Sequence, residues 1–142
     1  MAVVSAVCLS EEKGTRKENR HRGVLVADHG LAGDAHAGRG HRQVSLLSRD
    51  KVEEFKASGA AVRDGDFGEN LLVSGMDLKT LPIGAKLQVG SALLEVTQIG
   101  KECHSRCQIY YAMGDCIMPR EGIFARVLEG GEVAEGDAVL VL

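Results

Sequence analysis

Glycine interrupts this chain so often that most of its elements must be short. Eighteen of the 142 residues are glycine, against two prolines. Glycine takes up the positive-φ turns and close backbone approaches that other residues resist. Between the glycines lie short apolar segments: AVVSAVCL (residues 2–9), GVLVA, RQVSLL, AKLQV and LLEVTQI. Segments of this length, partly alternating and bounded by turn residues, read as strands. AKLQV and LLEVTQI, joined through VGSA, form an expected hairpin. The C-terminal IFARVLEGGEVAEGDAVLVL reads as two strands around Gly-rich turns. One helix is expected, in SRDKVEEFKASG, with Ser48 as N-cap, Val52 and Phe55 three apart, and Gly59 as the stop. Alternating βα units are absent, so a doubly wound sheet is not expected. The chain reads as a single domain, residues 1–142, mainly β (α+β), folded as a closed or partly closed barrel.

Composition narrows the function. Only 4% of residues are aromatic and none is Trp, so the core must be aliphatic. The formal net charge of −3 argues against broad nucleic-acid binding. The N-terminal apolar run is too short to span a bilayer and lacks a basic n-region, so no membrane or export role is expected. Four cysteines without an export signal suggest reduced thiols and a cytoplasmic location.

Chemistry concentrates in the polar stretches. GKECHSRC, residues 100–107, sets Cys103 and His104 between Lys101 and Arg106. Cations favour the thiolate, which is both the nucleophile and the metal ligand. Three readings stand: a reactive thiol at Cys103, a Cys103–Cys107 disulfide, or a zinc site of Cys103, His104, Cys107 and Cys116. Cys8 alternates with apolar residues and reads as core. In GDAHAGRGHRQVSLL, Asp34, His36, His41 and Arg42 surround three glycines that would let the backbone approach a ligand. No Walker loop or dinucleotide fingerprint is present. In GDFGEN, Asp66, Glu69 and Asn70 sit beside two glycines, and Asn70 has the donors and acceptors to hold a heterocycle edge or a phosphate. In GDCIMPREGIFARV, Arg120 follows Pro119 and suits two-point recognition of phosphate or carboxylate. SEEKGTRKENRHR, residues 10–22, reads as a solvated loop or as a basic flap over an anion, with Arg16, Lys17, Arg20 and Arg22 as candidates.

GDAHAG, RQVSLLS, GDFGEN, LPIGAKLQVG, LEVTQIGKECH and GDCIMPREGIFARV, in that order, resemble the stand-alone MOSC domains in their short bacterial form. That family is named after the C-terminal domain of molybdenum cofactor sulfurases. The resemblance runs from Val3 to the C-terminus. It implies a barrel-like fold of short strands with a few helices. It implies binding of the molybdenum cofactor, a pterin (molybdopterin) with a phosphate and a dithiolene-held metal. The family's key cysteine, proposed to carry sulfur as a persulfide or to ligate molybdenum, falls at Cys103. In many members it follows an Arg and a Pro; here Gly100, Lys101 and Glu102 precede it.

On this resemblance, Cys103 is the catalytic residue and molybdenum ligand. His36, Arg42, Asn70, Lys101, His104 and Arg120 are the cofactor contacts. Full-length sulfurases carry a pyridoxal-phosphate desulfurase domain, for which this chain is too short, so no covalently bound pyridoxal phosphate is expected. The implied partners are a cysteine desulfurase or molybdenum cofactor biosynthesis proteins. Four functions compete: sulfur carrier, molybdenum-dependent reductase of N-hydroxylated compounds, non-catalytic cofactor-binding module, and zinc-stabilised fold.

Overall fold

The computed structural model describes residues 2–12, 17–35, 37–38, 40, 42–57, 59, 63–100 and 122–142. Strand β1 (Val3–Leu9) is followed by β2 (Glu18–Asn19), β3 (Arg22–Val26) and β4 (Gly30–Leu31). Next come β5 (Val44–Ser48), helix α1 (Arg49–Ala57), β6 (Leu71–Ser74) and a 3-10 turn at Leu78–Thr80. Strands β7 (Lys86–Val89) and β8 (Ala92–Ile99) form the expected hairpin. The chain ends with β9 (Ile123–Glu129), β10 (Gly131–Ala134) and β11 (Val139–Val141).

Eight strands make one sheet, in the order β11-β7-β8-β9-β5-β6-β1-β2, and β10-β3-β4 make a second. The ladders stay open, yet the main chain just before β11 reaches back to β1. Val3 and Ala138 form an isolated bridge. The Val4 N–H donates to the Asp137 carbonyl at 2.8 Å, and the Val139 N–H to the Ala2 carbonyl at 2.9 Å. The fold is mainly β and barrel-like, with its sheets unclosed.

Strand alternation divides the apolar residues between two faces. One face packs Val4, Val44, Leu46, Leu71, Val73, Leu94, Val96, Ile123 and Ala125 into the main core. The other face carries Ala6, Cys8, Leu47, Leu72 and Phe124, which pack with Val52 and Phe67. Val52 comes from α1, and Phe55 of the same helix meets Phe67 edge to face, with centroids 5.1 Å apart. The three apolar helix and turn residues thus cover the second face, as the spacing of Val52 and Phe55 predicts.

Three local expectations need correction. First, β5 and β6 are parallel, with α1 between them. One βαβ unit is therefore present, because parallel neighbours need a crossover connection. Second, the C-terminal segment makes three strands rather than two. At Gly130 and Gly131 an added Cβ would strike the Leu25 carbonyl and Ser91 respectively. The chain uses this close passage to leave β9 and pair β10 with β3 in the other sheet. Third, Ser48 ends β5 and does not cap α1 with its side chain. Its hydroxyl donates to the Met76 carbonyl at 2.8 Å and accepts from the Leu78 N–H at 3.0 Å. The Gly59 stop is as expected: its φ is +107°, and its N–H donates to the Lys56 carbonyl at 3.0 Å.

Candidate functional site

Two polar assemblies lie at neighbouring parts of the fold. The first is buried and joins the two Gly-rich motifs that the sequence presents separately. Asn70, just before β6, is 1% exposed. Its Nδ2 donates to the Cys8 carbonyl at 3.0 Å and its amide also bonds to Asp34. Its Oδ1 accepts from the Ser45 N–H at 3.0 Å and from the Ser45 hydroxyl at 3.1 Å. The four hydrogen-bonding places of this amide are thus taken within the protein. Asn70 ties β1, β5 and the GDAHAG segment together.

Asp34 also accepts from the Ser10 N–H at 3.1 Å and from Lys17 Nζ at 2.6 Å. Burial pushes the Asp34 carboxyl up, but the Lys17 ammonium outweighs it and holds the group below the usual carboxylate range. Lys17 therefore belongs neither to a solvated loop nor to a flap, because its side chain is 1% exposed. Arg20 and Arg22 are exposed. The N–H of Lys17 donates to the Gly65 carbonyl at 3.0 Å, which brings the GDFGEN turn against the same pair.

Glu69 holds that turn from inside. Its Oε2 accepts from the Gly65 N–H at 2.9 Å and its Oε1 from the Phe67 N–H at 3.1 Å. Burial pushes its carboxyl up to about 7 despite these donors. The same burial, with the Glu69 charge nearby, pushes the Cys8 thiol far above its ordinary value. Cys8 is fully buried, as read from its place in β1. Helix α1 is fastened to the turn by Arg49, whose Nη1 and Nη2 grip Asp64 at 2.7 and 3.1 Å.

The second assembly is open and spans three adjacent strands. Arg42 is exposed, just ahead of β5. Its guanidinium carbon lies 5.3 Å from the Phe124 ring centroid on β9. Its Nε donates to Gln98 Oε1 on β8 at 2.9 Å. Among the described residues nothing accepts a hydrogen bond from its Nη1 or Nη2. Gln98 Nε2 donates in turn to the Gly100 carbonyl at 2.8 Å. The Gly100 N–H donates to the Gly122 carbonyl at 2.7 Å. Residues 101–121 therefore connect two points that are hydrogen-bonded to each other, beside Arg42.

Cys103, Lys101, His104, Arg120 and His36 lie outside the described residues, as do His41, Cys107 and Cys116. Of His36, only the flanks are placed: the Ala35 N–H donates to the Ser10 carbonyl at 2.7 Å, and the Ala37 N–H to the Asp34 carbonyl at 3.1 Å. No group of three His, Cys, Asp or Glu among the described residues could hold a metal ion. Reading the sequence alone misses Gln98 and the pairing of Lys17 with Asp34. A polar side chain near the end of the apolar run LLEVTQI is the one signal that pointed to Gln98.

The profile of the MOSC domain matches residues 32–140. The chain belongs to the MOSC domain family. Solved structures share the fold. YUAD protein from Bacillus subtilis is similar at 20% identity with a TM-score of 0.78, over 98% of this chain and 94% of that one. YiiM from Geobacillus stearothermophilus is similar at 16% identity with a TM-score of 0.75, over 100% of this chain and 75% of that one. YiiM from Escherichia coli is similar at 20% identity with a TM-score of 0.67, over 99% of this chain and 69% of that one. No curated protein matches the sequence. Membership of a family named for molybdenum cofactor sulfurases supports a role related to that cofactor. No helix among the described residues is long and apolar enough to cross a membrane.

Proposed function

We propose that this MOSC domain binds the molybdenum cofactor beside Arg42 and uses Cys103 as a sulfur-carrying thiol. The observation that carries this reading is the 2.7 Å hydrogen bond from the Gly100 N–H to the Gly122 carbonyl. Chain connectivity does the rest. Cys103 is three residues past Gly100, so its Cα is within about 11 Å of the Gly100 Cα, and Arg120 is within about 8 Å of Gly122. Lys101 and His104 follow Gly100 by one and four residues in the sequence.

The described residues fit an anionic cofactor through Arg42. Its Nε is committed to Gln98 and its guanidinium lies over the Phe124 ring; among the described residues the two terminal amino groups have no acceptor, and they suit a phosphate in two-point fashion. Lys101, His104, Arg120 and His36 are the further contacts in this reading, and Asn70 acts by holding the GDAHAG segment. When bound, the cofactor would supply a dithiolene-held molybdenum, a metal for which a soft thiolate is a suitable ligand.

Sulfur loading needs only the thiol. The Cys103 thiolate attacks the terminal sulfur of a donor persulfide, a new S–S bond forms, and the donor's S–S bond breaks. The donor leaves as a thiolate, with no net oxidation or reduction. A cysteine desulfurase is the donor class, and cofactor or metal–sulfur cluster assembly proteins are the acceptor class. Lys101 and Arg106, close to Cys103 in sequence, are the cations that would favour its thiolate.

The test is peptide-resolved. Trypsin cleaves after Lys101 and Arg106, so the peptide 102–106 contains Cys103 and no other cysteine. Wild type and Cys103→Ser are purified anaerobically from a host that makes the cofactor. Molybdenum, zinc and persulfide are then measured per chain. Persulfide on peptide 102–106 supports the carrier. Molybdenum in wild type but absent from Cys103→Ser would instead make Cys103 a ligand and favour a reductase. Molybdenum in both, without persulfide, would leave a binding module. Zinc alone would refute all three.

A further inference from the structure

We infer that Gln98 is a positioning residue that orients Arg42 toward its anion and locks it to the base of the Cys103-bearing connection. This rests on the reading of Arg42 as an anion contact.

Strand β8 alternates buried and partly exposed residues from Ala92 to Thr97, and the alternation breaks at Gln98. The pairing of β8 with β9 explains the break. Val96 pairs with Ala125 and Gln98 with Phe124, so Thr97 is an extra residue on the β8 side. A bulge of this kind re-aims the side chains that follow it. Here it sets Gln98 directly opposite Phe124, whose other cross-strand neighbour is Ser45 on β5. The Arg42 guanidinium lies over that same ring and meets Gln98 beyond it.

The amide of Gln98 faces two ways. Its carbonyl oxygen takes the Arg42 Nε–H, and its nitrogen donates to the Gly100 carbonyl. An arginine fixed at Nε and resting on an aromatic ring loses little further freedom when Nη1 and Nη2 engage an anion. Gly100, with φ +67°, is in the left-handed region and has both main-chain polar groups taken, one by Gln98 and one by Gly122. Gln98 therefore fixes where an anion sits relative to the start of residues 101–121. A leucine there would fill the space and release both partners.

The experiment is a double-mutant cycle with inorganic phosphate as the probe. Phosphate is titrated at constant ionic strength, and its apparent affinity is read from the thermal midpoint of the full chain. Wild type is expected to bind, and Gln98→Leu to bind about tenfold more weakly. Arg42→Lys, which has no Nε–H and no fork, is expected to weaken binding as well. In the Arg42→Lys background Gln98→Leu should cost nothing further, because a side chain that acts through Arg42 is non-additive with it. Gln98→Glu keeps size and acceptor but sets a carboxylate on the guanidinium, and should also bind more weakly. Losses that add, or Gln98 variants that bind as wild type does while Arg42→Lys is impaired, overturn the role of Gln98 and leave the Arg42 reading standing. No response to phosphate in wild type overturns both.

Discussion

Lys17 Nζ and Asp34 Oδ1 lie 2.6 Å apart with both side chains sealed from solvent, at 1% and 0% exposure. The pair joins the segment after β1 to the GDAHAG motif, and through Asn70 to GDFGEN. Removing one member leaves a buried charge without its partner. Lys17→Met or Asp34→Leu should each cost about 3–5 kcal/mol in urea unfolding, and the double variant should recover much of that loss. Single losses under about 1 kcal/mol would show that the pair is not sealed.

Stability should also report the buried carboxyl of Glu69. Its folded-state value is raised to about 7 from 4.5. The folded chain therefore holds a proton that the unfolded chain has released. This contribution is complete below about pH 4.5 and disappears as pH rises through about 7, a fall of about 3 kcal/mol. Asp34 and Asp64 are held below the usual range, so their effects belong to more acid solutions, where stability is lost as they protonate. The urea midpoint of wild type should fall between pH 5 and 7.5. Glu69→Gln should be less stable at pH 5 and flatter across that window.

Two glycines with similar backbone angles separate conformational strain from close approach. Gly65 and Gly33 have φ of +89° and +86°. A Cβ at Gly65 would run into the Lys17 carbonyl, whereas among the described residues nothing lies within 4 Å at Gly33. Gly33→Ala should cost about 1–2 kcal/mol, the penalty of the left-handed region alone. Gly65→Ala must in addition displace the main chain of Lys17, for a total of about 3 kcal/mol or more. Equal losses in thermal or urea unfolding would mean that the turn shifts freely.

Cys8 should be silent in the folded chain. It is fully buried and its thiol is pushed far up by burial, so very little thiolate is present at pH 8. Iodoacetamide should leave the peptide 1–13 unmodified in native protein and modify it in urea. Labelling of Cys8 under native conditions would mean that β1 opens locally.

Legibility differed sharply between frame and site. Strand positions such as Val44–Ser48 and Ala92–Ile99 were readable because period-2 patterning and flanking glycines are local properties of the chain. The helix was readable from Val52, Phe55 and Gly59 for the same reason. What failed was pairing. Nothing local says that β5 and β6 run parallel, or that the hydroxyl of Ser48 turns to Met76 and Leu78 instead of capping α1. The site divided the same way. Asn70 was singled out for its donors and acceptors, but their partners, Cys8, Ser45 and Asp34, are 25 to 62 residues distant or in another motif. Lys17 read as a surface charge because its neighbours are polar; its burial depends on Asp34 and Gly65. Cys103 rests on the family resemblance and its cationic neighbours.

The hydrogen bond between Gly100 and Gly122 has an evolutionary reading. A connection that starts and ends on bonded neighbours can gain, lose or exchange residues without altering how β8 and β9 pair, and closure entropy rises only slowly with length. A change of length there costs little in closure entropy, while Phe124 and Gln98 stand on β9 and β8 and Arg42 just ahead of β5. Relatives built this way can diverge in what their thiol meets while keeping the same frame. The connection is therefore the natural target for grafting, with Gly100 and Gly122 as its splice points.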